Sequence, residues 1–531
     1  MSKVNRRKFI AAVGGAIVAA AGYGYYQYFK RPESTTQSPT ISPTETLTTS
    51  TTSVLNRPPI AAFALGIDSV SGETYYLLEE LNPATGSSLE SDVFKDKPKW
   101  NLNPTTEQVI KFLNHSTDAD NDNLSYVWSL NGKEISREKD YSTTFYEGEN
   151  TLRLTNSDGK LETYMEKKIT IDPVQIFSPK KLRNNLLKGI IYIPSMNLEY
   201  IGVNRRNLPK ERIRLEINDI INEELGCNAI SIESDDDDLF FDCAEVALEG
   251  NFDVVVVVPR YLSLQLEDVP SRIGELTKKL KPLHEKYRGR LIIASGNEIS
   301  VDYKGIIEGD NYFLRGYNLG RMRFGSSDVK KVEDAIRQIV PAIRENFDGK
   351  IIYKSGPWES WQMDWGTLDI DIIGLNYYWY RSWLGDEAWN PTGTQKFIEG
   401  LGSYKKFGKP IWVTEFGSVT TKNGCKHGGA GFSYAIEDEY DAEAQASCIK
   451  NYMDLFNKVP AVEACFLGDF IQPNSTEWKL YTGEPFTIEN QKKATFSILD
   501  YKGPNPLEPG DYTSTRKPAF YMYKSYQRVE S

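Results

Sequence analysis

Histidine and cysteine are scarce in this chain, and those present lack the spacing of a metal site. The 531 residues include 3 histidines and 5 cysteines, with no Cys-x-x-Cys pair. The sequence therefore has no zinc pattern, and we expect neither a metal nor another cofactor. The odd cysteine count leaves at least one thiol outside any internal disulfide, and a Cys227–Cys243 bridge is left open.

Basic stretches are also scarce. The net charge is −11, from 62 Lys and Arg against 73 Asp and Glu, and no long basic stripe follows the first ten residues. This argues against a nucleic-acid partner, which needs such a stripe. Hydrophobic residues make up 40% of the chain and charged residues 25%. Most of the chain is therefore expected to be globular, with enough length for two or three domains.

The N-terminus has the composition of a targeting segment. Arg6-Arg7 precede an Ala- and Gly-rich apolar stretch over 11–29, which resembles a twin-arginine export signal. Residues 1–30 are interpreted as such a signal or as an uncleaved membrane anchor, because about 20 apolar residues span a bilayer. Residues 31–55 are rich in Ser, Thr and Pro and predict a flexible linker. Both interpretations place the rest of the chain outside the cytoplasm, extracellular or at the cell surface.

Residues 56–172 have the pattern of a small β domain. Short runs of alternating apolar and polar residues are separated by turns, and Asn131-Gly132 is typical of a tight hairpin turn. Several short strands with regular turns predict a β-sandwich. The strand-like runs are 124–130, 150–156 and 167–172.

Two stretches of this region resemble a polycystic-kidney-disease-type (PKD) domain, which has an immunoglobulin-like fold. They are the opening Asn-Arg-Pro-Pro-Ile-Ala-Ala-Phe at 56–63 and the run 116–128 with its three alternating aspartates. The resemblance implies a spacer or a module that contacts protein or carbohydrate. Residues 66–103 exceed what the family needs and leave an insertion or a second small unit open. The aspartates are interpreted as turn residues, because a calcium loop also needs a glycine and a distal glutamate.

Residues 173–531 alternate apolar strand-like runs with helical stretches. Continuous apolar strands separated by helices predict a parallel sheet covered on both faces, and eight of them predict a (β/α)8 TIM barrel. The fold class is thus α/β, with the barrel preceded by the immunoglobulin-like sandwich. The eight runs are 189–194, 228–233, 252–259, 290–294, 350–355, 370–376, 409–413 and 462–468.

Two glutamates stand at the ends of barrel strands. Glu298 follows the fourth strand within Ser-Gly-Asn-Glu-Ile-Ser, and Glu415 follows the seventh within Trp-Val-Thr-Glu-Phe-Gly. Active sites of β/α barrels are built at the C-terminal ends of the strands. Two carboxyls facing each other there are what a retaining glycosidase requires. Either glutamate alone is equally well read as a surface loop residue, and it is the pair in this order that favours catalysis.

This arrangement resembles glycoside hydrolase clan A, whose members carry Asn-Glu after strand four and Glu after strand seven. Asn297-Glu298 and Glu415 match that pattern, and the resemblance extends over about 185–525. It implies that Glu298 is the acid/base and Glu415 the nucleophile, and that Asn297 bonds the 2-hydroxyl of the sugar.

The strand-six motif of the clan implies further site residues. Asn376 and Tyr378 match it, and Tyr378 would donate to Glu415 and hold it ionised. The arginine that the clan commonly carries near strand two is absent from the matching place. Arg260, after strand three, is the candidate substitute.

Tryptophans in the long loops after strands are candidate platforms for sugars, although each alone is more often a packing residue. We select Trp358 and Trp478 as substrate-binding candidates. The others are Trp361, Trp365, Trp379 and Trp383.

Together these features predict an exported retaining glycoside hydrolase that cleaves β-glycosidic bonds in a polysaccharide or oligosaccharide, such as a cellulase- or mannanase-like endo-glycanase. The alternatives are a non-catalytic carbohydrate-binding or structural protein of the cell surface, and a transglycosylase or exo-acting enzyme using the same two glutamates. The sequence does not identify the sugar, since this barrel hosts many chemistries.

Overall fold

The computed structural model of the chain describes twelve stretches of it, most of them in the two predicted folded regions. The predicted signal or anchor (1–30) and the predicted linker (31–55) lie outside the described residues. Among the residues described, no helix combines the length and the apolarity needed to cross a bilayer. The described stretches are 56–78, 101–102, 104–197, 202–204, 208–379, 384–385, 387–428, 437–471, 478–479, 485–486, 492–502 and 513–528.

Two four-stranded antiparallel sheets form the N-terminal part. Its strands are β1 (Phe63–Asp68), β2 (Thr74–Leu78), β3 (Asn101–Leu102), β4 (Ile110–Asn114), β5 (Ser125–Leu130), β6 (Lys133–Ser136), β7 (Tyr141–Thr143), β8 (Gly148–Ser157) and β9 (Glu162–Ile171). One sheet has the order β2–β1–β4–β7 and the other β6–β5–β8–β9. Trp128 of β5 lies with its ring 5.2 Å from that of Phe63 in β1 and 5.1 Å from that of Phe112 in β4. The two sheets therefore face each other across a shared aromatic core, as a sandwich does.

The aspartates of the 116–128 run lie in a turn between β4 and β5. The Oδ1 atom of Asp118 accepts hydrogen bonds from the backbone N–H groups of Asp120 and Asp122, at 2.8 and 3.0 Å. Asp120 also forms an ion pair with Arg57 at 2.7 Å. These contacts confirm the interpretation of Asp118 as a turn residue.

The C-terminal part is a closed barrel of eight parallel strands, as predicted. A short strand, β10 (Lys180–Lys181), precedes it, and β12 (Gly202–Asn204) is an antiparallel addition to the first barrel strand. The last parallel strand pairs with the first, which closes the barrel. The barrel strands are β11 (Leu187–Asn197), β13 (Ala229–Ser234), β14 (Val254–Pro259), β15 (Leu291–Asn297), β16 (Ile351–Ser355), β17 (Ile372–Asn376), β18 (Ile411–Phe416) and β19 (Val462–Leu467).

Helices cover the outside of the barrel, so its strands are largely buried on both faces. The longer helices carry apolar residues at helical spacing; in one of them Val332, Ile336, Val340 and Ile343 are all buried. The helices are α1 (Lys210–Arg214, continuing as a π-helix over Leu215–Glu224), α2 (Asp237–Glu249), α3 (Val269–Lys286), α4 (Ile299–Asp302), α5 (Tyr312–Arg321), α6 (Ser326–Arg344), α7 (Pro357–Ser360), α8 (Pro391–Gly402), α9 (Gly424–His427), α10 (Ala442–Lys458) and α11 (Pro518–Lys524). Short 3-10 segments lie at Leu266–Asp268, Trp365–Thr367 and Ser403–Phe407.

Among the described residues, five short strands lie near the C-terminus, and one of them pairs with the N-terminal part of the chain. They are β20 (Trp478–Lys479), β21 (Pro485–Phe486), β22 (Leu499–Lys502), β23 (Thr513–Arg516) and β24 (Tyr526–Gln527). Strand β3 pairs in parallel with β23, so part of the extra segment 66–103 contacts the barrel region. The rest of that segment includes β2, which pairs with β1.

The disulfide joins two cysteines that the sequence analysis did not pair. Cys425 of α9 is bonded to Cys448 of α10, whereas Cys227, Cys243 and Cys465 are buried and take no part in a disulfide. The Cys227–Cys243 bridge that the sequence left open is therefore not formed. The observed bond ties the segment that follows the seventh barrel strand to the helix that leads to the eighth.

Candidate active site

The strand register brings the predicted site residues to one end of the barrel. Asn297 at the end of β15 is aligned with Lys354 of β16, and Asn376 at the end of β17 is aligned with Glu415 of β18. All four residues therefore lie at the C-terminal ends of neighbouring parallel strands, where barrel active sites are found.

Glu298 is held in an unusual backbone conformation. Its φ of 42° and ψ of 53° lie in the left-handed region, which residues other than glycine seldom occupy. Gly296, two residues earlier, has a φ of 152°, and a Cβ atom there would lie 2.7 Å from a side-chain carbon of Ile299. The turn thus requires glycine at 296 and strains the chain at 298. Strain of this kind concentrates at functional sites.

An amide network fixes the Glu298 carboxyl. Asn376 donates from Nδ2 to the Oε1 atom of Glu298 at 2.9 Å and to the Oδ1 atom of Asn297 at 3.2 Å. Thr414 donates to the Oδ1 atom of Asn376 at 3.0 Å, which fixes the orientation of the amide. Asn376 and Asn297 are both buried. Their side chains contact each other, Thr414 and the Glu298 carboxyl, and their substrate-binding role stays a prediction.

A second carboxyl lies behind Glu298. Glu359 of α7 accepts hydrogen bonds from the backbone N–H and the hydroxyl of Ser300, at 3.0 and 2.5 Å, and from the hydroxyl of Tyr353 at 2.6 Å. Tyr353 in turn accepts from the backbone N–H of Ile299 at 3.1 Å. Glu359 and Tyr353 therefore hold the first turn of the helix that follows Glu298. Burial raises the pKa of Glu359 to about 7.

The surroundings of Glu298 favour its protonated form. Burial is the largest cause, the charge of Glu415 is the next, and the nearby carboxyls of Glu359 and Asp302 act in the same direction. Together they raise the pKa of Glu298 well above its usual range, although the hydrogen bond from Asn376 opposes the shift. This agrees with the predicted role of a neutral acid.

The surroundings of Glu415 differ in the sign of the neighbouring charge. The hydroxyl of Tyr378 donates a hydrogen bond to its Oε1 atom, as predicted. Burial and the carboxylate of Glu233 raise the pKa of Glu415, and the cations of Lys354 and Arg260 and the Tyr378 bond oppose that rise. When one proton is shared by the two glutamates, these neighbours favour placing it on Glu298.

The two cations belong to a buried network across the strand ends. Lys354 of β16 bonds Glu233 of β13, on the other side of the barrel, and Arg260 bonds Glu233 at 3.2 Å. Arg260 also forms a bidentate pair with Asp302, at 2.9 and 2.7 Å. Burial alone would raise the pKa of Glu233, but Lys354 and Arg260 hold it below its usual value. Arg260 thus lies at the site, where it contacts carboxylates.

Three carboxyls differ from this network in being partly exposed. Glu298, Glu415 and Asp469, which follows the eighth strand, retain contact with solvent, whereas Glu233 and Lys354 are fully buried. The three carboxyls interact electrostatically, because the charge of Glu415 raises the pKa of both Glu298 and Asp469. They line the open end of the barrel, and the network lies beneath them.

The loop tryptophans divide into buried and exposed rings. Trp358 is only 7% exposed and donates from Nε1 to Ser300, so little of its ring is available to a sugar. Trp365 and Trp379 are fully buried, whereas Trp361 is 43% exposed. Trp478 lies in β20, its side chain is outside the described set, and Trp383 lies outside the described residues altogether. The substrate-binding roles of Trp358 and Trp478 stay predictions.

Several site residues were missed at the sequence level, namely Glu233, Asp302, Lys354, Glu359 and Asp469. For three of them a signal was present, and in two of these, Glu233 and Lys354, it is a charge at the end of an otherwise apolar strand. A charge in such a place is costly unless it is paired, so it marks a site. Asp469 follows the eighth strand in the same way. Asp302 and Glu359 lie in short helices and carry no comparable signal.

Comparisons with known proteins do not identify a family for this chain. No family model matches the chain, and no curated protein matches it. Among solved structures, a GH113 β-1,4-mannanase is 10% identical with a TM-score of 0.40, covering 65% of this chain and 99% of the mannanase. A Ruminococcus gnavus β-glucuronidase is 12% identical with a TM-score of 0.38, covering 79% of this chain and 65% of that enzyme.

A Bacteroides uniformis β-glucuronidase is also 12% identical, with a TM-score of 0.36, covering 72% of this chain and 45% of that enzyme. The chain thus spans less than two thirds of the length of either glucuronidase. Similarity at this level carries no argument about the reaction, which has to be inferred from the geometry of the site.

Proposed function

We propose that this protein is a retaining β-glycosidase that acts on a polysaccharide. The observation that supports this best is the pair Glu298 and Glu415, which are partly exposed at the ends of the fourth and seventh strands. The charged neighbours that shift the pKa of Glu298 are all carboxyls, whereas those of Glu415 include the cations Lys354 and Arg260 besides the carboxylate of Glu233. Two carboxyls whose environments push their pKa values apart are suited to divided acid and nucleophile roles.

The first chemical step uses both residues. The carboxylate of Glu415 attacks the anomeric carbon, the bond from that carbon to the glycosidic oxygen breaks, and Glu298 transfers its proton to the departing oxygen. Tyr378 orients Glu415 for attack, and Asn376 orients Glu298. The products are a glycosyl ester on Glu415 and a carboxylate at Glu298.

The second step reverses the roles. Glu298 takes a proton from water, the water oxygen attacks the anomeric carbon, and the ester bond to Glu415 breaks to regenerate its carboxylate. Esterification removes the negative charge of Glu415, which is the second largest cause of the raised pKa of Glu298. The pKa of Glu298 therefore falls in the intermediate, which suits its change from acid to base.

The preference for a polymer rests on features outside the reacting pair. They are the predicted export signal, the sandwich that precedes the barrel, and the exposed ring of Trp361 near the strand ends. Cellulose, mannan, galactan and xylan are all candidates, with endo-cleavage as in a cellulase or mannanase. Export is part of the proposal, and fractionation of cells that produce the full chain would test it.

The decisive experiment measures reducing-sugar release from β-glucans, mannans, galactans and xylans. It compares the full chain with its Glu415→Gln variant and with Glu285→Gln, an exposed position on α3 that serves as a matched control. We expect the wild type and the control to cleave one polymer and the Glu415→Gln variant to lose that activity. No cleavage of any polymer by the folded protein would favour a non-catalytic protein of the cell surface.

A further inference from the structure

Asp469 occupies a rigid position beside the reacting pair. It follows β19, and backbone hydrogen bonds from three directions fix the chain around it. Gly468 donates to Phe416 at 2.9 Å, Phe470 donates to Ile191 at 2.9 Å, and the carbonyl of Asp469 accepts from Ile498 at 3.0 Å. The Asp469 side chain is therefore presented at the end of the barrel by a support that has little freedom to move.

Hydrogen bonding distinguishes the carboxyl of Asp469 from the two reacting carboxyls. Within the part of the chain that the structure describes, no donor bonds it, whereas Glu298 and Glu415 are each bonded by a protein donor. Polar groups in largely buried surroundings are nearly always hydrogen-bonded, by protein, water or ligand. The carboxyl is also partly exposed, so it is accessible to a ligand in the same cleft.

The charged groups that reach Asp469 come from four barrel strands or their ends. Burial and the carboxylates of Glu415 and Glu233 raise its pKa to about 8, and the cations of Lys354 and Arg260 oppose the shift. At neutral pH the group is thus a carboxylic acid, with one hydrogen to donate and lone pairs to accept. A sugar hydroxyl offers the complementary pair.

We propose that Asp469 is a substrate-binding residue that bonds a hydroxyl of an uncharged sugar seated over Glu415, and that the site discriminates against uronic acids. This deepens the proposed glycosidase function and rests on it.

The discrimination follows from the charges around the site. A uronate carboxylate bound there would face the charge of Glu415. Among the described residues, the two cations nearest the cleft, Lys354 and Arg260, are already bonded to carboxylates. Like-charge contact without a compensating cation excludes a ligand effectively. An uncharged hydroxyl meets no such penalty.

The first test compares Asp469→Ala with Asp469→Asn on the polymer that the wild type cleaves. The Ala variant leaves the sugar hydroxyl without its hydrogen-bond partner in a largely buried site. We therefore expect it to lower kcat/KM by roughly tenfold to a hundredfold, mainly by raising KM. Asn keeps one donor and one acceptor and is expected to stay within about threefold at pH 7. The KM of the wild type should rise above about pH 8, whereas that of the Asn variant should not.

The second test uses one polymer in two forms, native and oxidised at C6 to the uronate. We expect the wild type to cleave the oxidised form at least about tenfold more slowly, by the penalty for an unpaired like charge. An unchanged KM in a folded Ala variant, or equal pH profiles for wild type and Asn, would overturn the role of Asp469. Preference for the oxidised polymer would overturn the sugar class and leave the glycosidase intact. No cleavage of either form or of any other polymer would remove the proposed function and this inference together.

Discussion

The two sides of the cleft are built from different kinds of charge. On the side of the fourth strand, Glu298 is surrounded by other carboxyls, chiefly Glu415, Glu359 and Asp302. On the side of the seventh strand, Glu415 is within reach of the cations Lys354 and Arg260 as well as the carboxylate of Glu233, and it is bonded by Tyr378. One residue type in two environments can therefore fill two roles, and the difference lies in the neighbours of each carboxyl.

The largest expected effect comes from removing the acid. Glu298→Gln keeps the shape of the side chain and its contact with Asn376 but has no proton to transfer. We expect kcat to fall by about 10²–10⁴-fold on a substrate with a poor leaving group, and the basic limb of the pH–rate profile to disappear. Steady-state kinetics from pH 4 to 9 would check this. A basic limb that persists in the variant would assign the acid role to another residue.

The cationic side is tested by Lys354→Met. The change leaves Glu233 buried beside Arg260 alone, and breaking a buried pair costs about 3–5 kcal/mol of unfolding free energy. Denaturant unfolding would measure that loss. Because Lys354 also opposes the rise in the pKa of Glu415, the acid limb of kcat/KM should move to higher pH.

The control for Lys354→Met is Lys354→Arg, which keeps the charge. A folded Met variant with an unchanged acid limb would show that the charge of Lys354 does not reach the nucleophile. If the Met variant fails to fold, the double variant Glu233→Leu with Lys354→Met removes the whole pair without leaving a lone buried charge. Because Glu233 raises the pKa of Glu415 and Lys354 lowers it, the acid limb should move less in the double variant than the loss of Lys354 alone would move it.

The smallest expected effect is that of Glu359→Gln. The amide can still accept from Ser300, but the variant removes a negative charge that raises the pKa of Glu298. The pKa of Glu298 should fall, so the acid loses its proton at a lower pH and the basic limb moves downward. The rate at the optimum should change by only a few fold, because Glu359 does not touch the substrate. An unmoved basic limb in the folded variant, against Glu285→Gln as the control, would contradict this.

Much of the barrel was predictable because its signal is local. Each of the eight apolar runs became a parallel strand, and the positions of Glu298 and Glu415 followed from their place after two of them. The Tyr378 bond to Glu415 was also predicted, from the match of Asn376 and Tyr378 to the strand-six motif of the clan. The contacts that depend on closure of the barrel were not predicted. Glu233 and Lys354 meet across the barrel, 121 positions apart in sequence, and nothing near either residue indicates the other.

The disulfide and the pairing of β3 with β23 were unpredictable for the same reason. Cysteine spacing alone does not bring Cα atoms within bonding range, and a two-residue strand has no pattern of its own. Asp469 was visible at the sequence level as an aspartate after the eighth strand. That no donor among the described residues bonds its carboxyl became evident only from the positions of the neighbouring side chains.

The left-handed backbone conformation of Glu298 lowers stability at a position that we propose to be catalytic. A non-glycine residue in that region costs about 1–3 kcal/mol, which the rest of the turn must offset. A glycine at 298 would adopt the same φ and ψ freely. The Glu298→Gly variant would therefore lose the carboxyl but be more stable. Replacement by a β-branched residue would instead add strain to the loss of chemistry. Stability and the proposed acid chemistry therefore favour different residues at position 298.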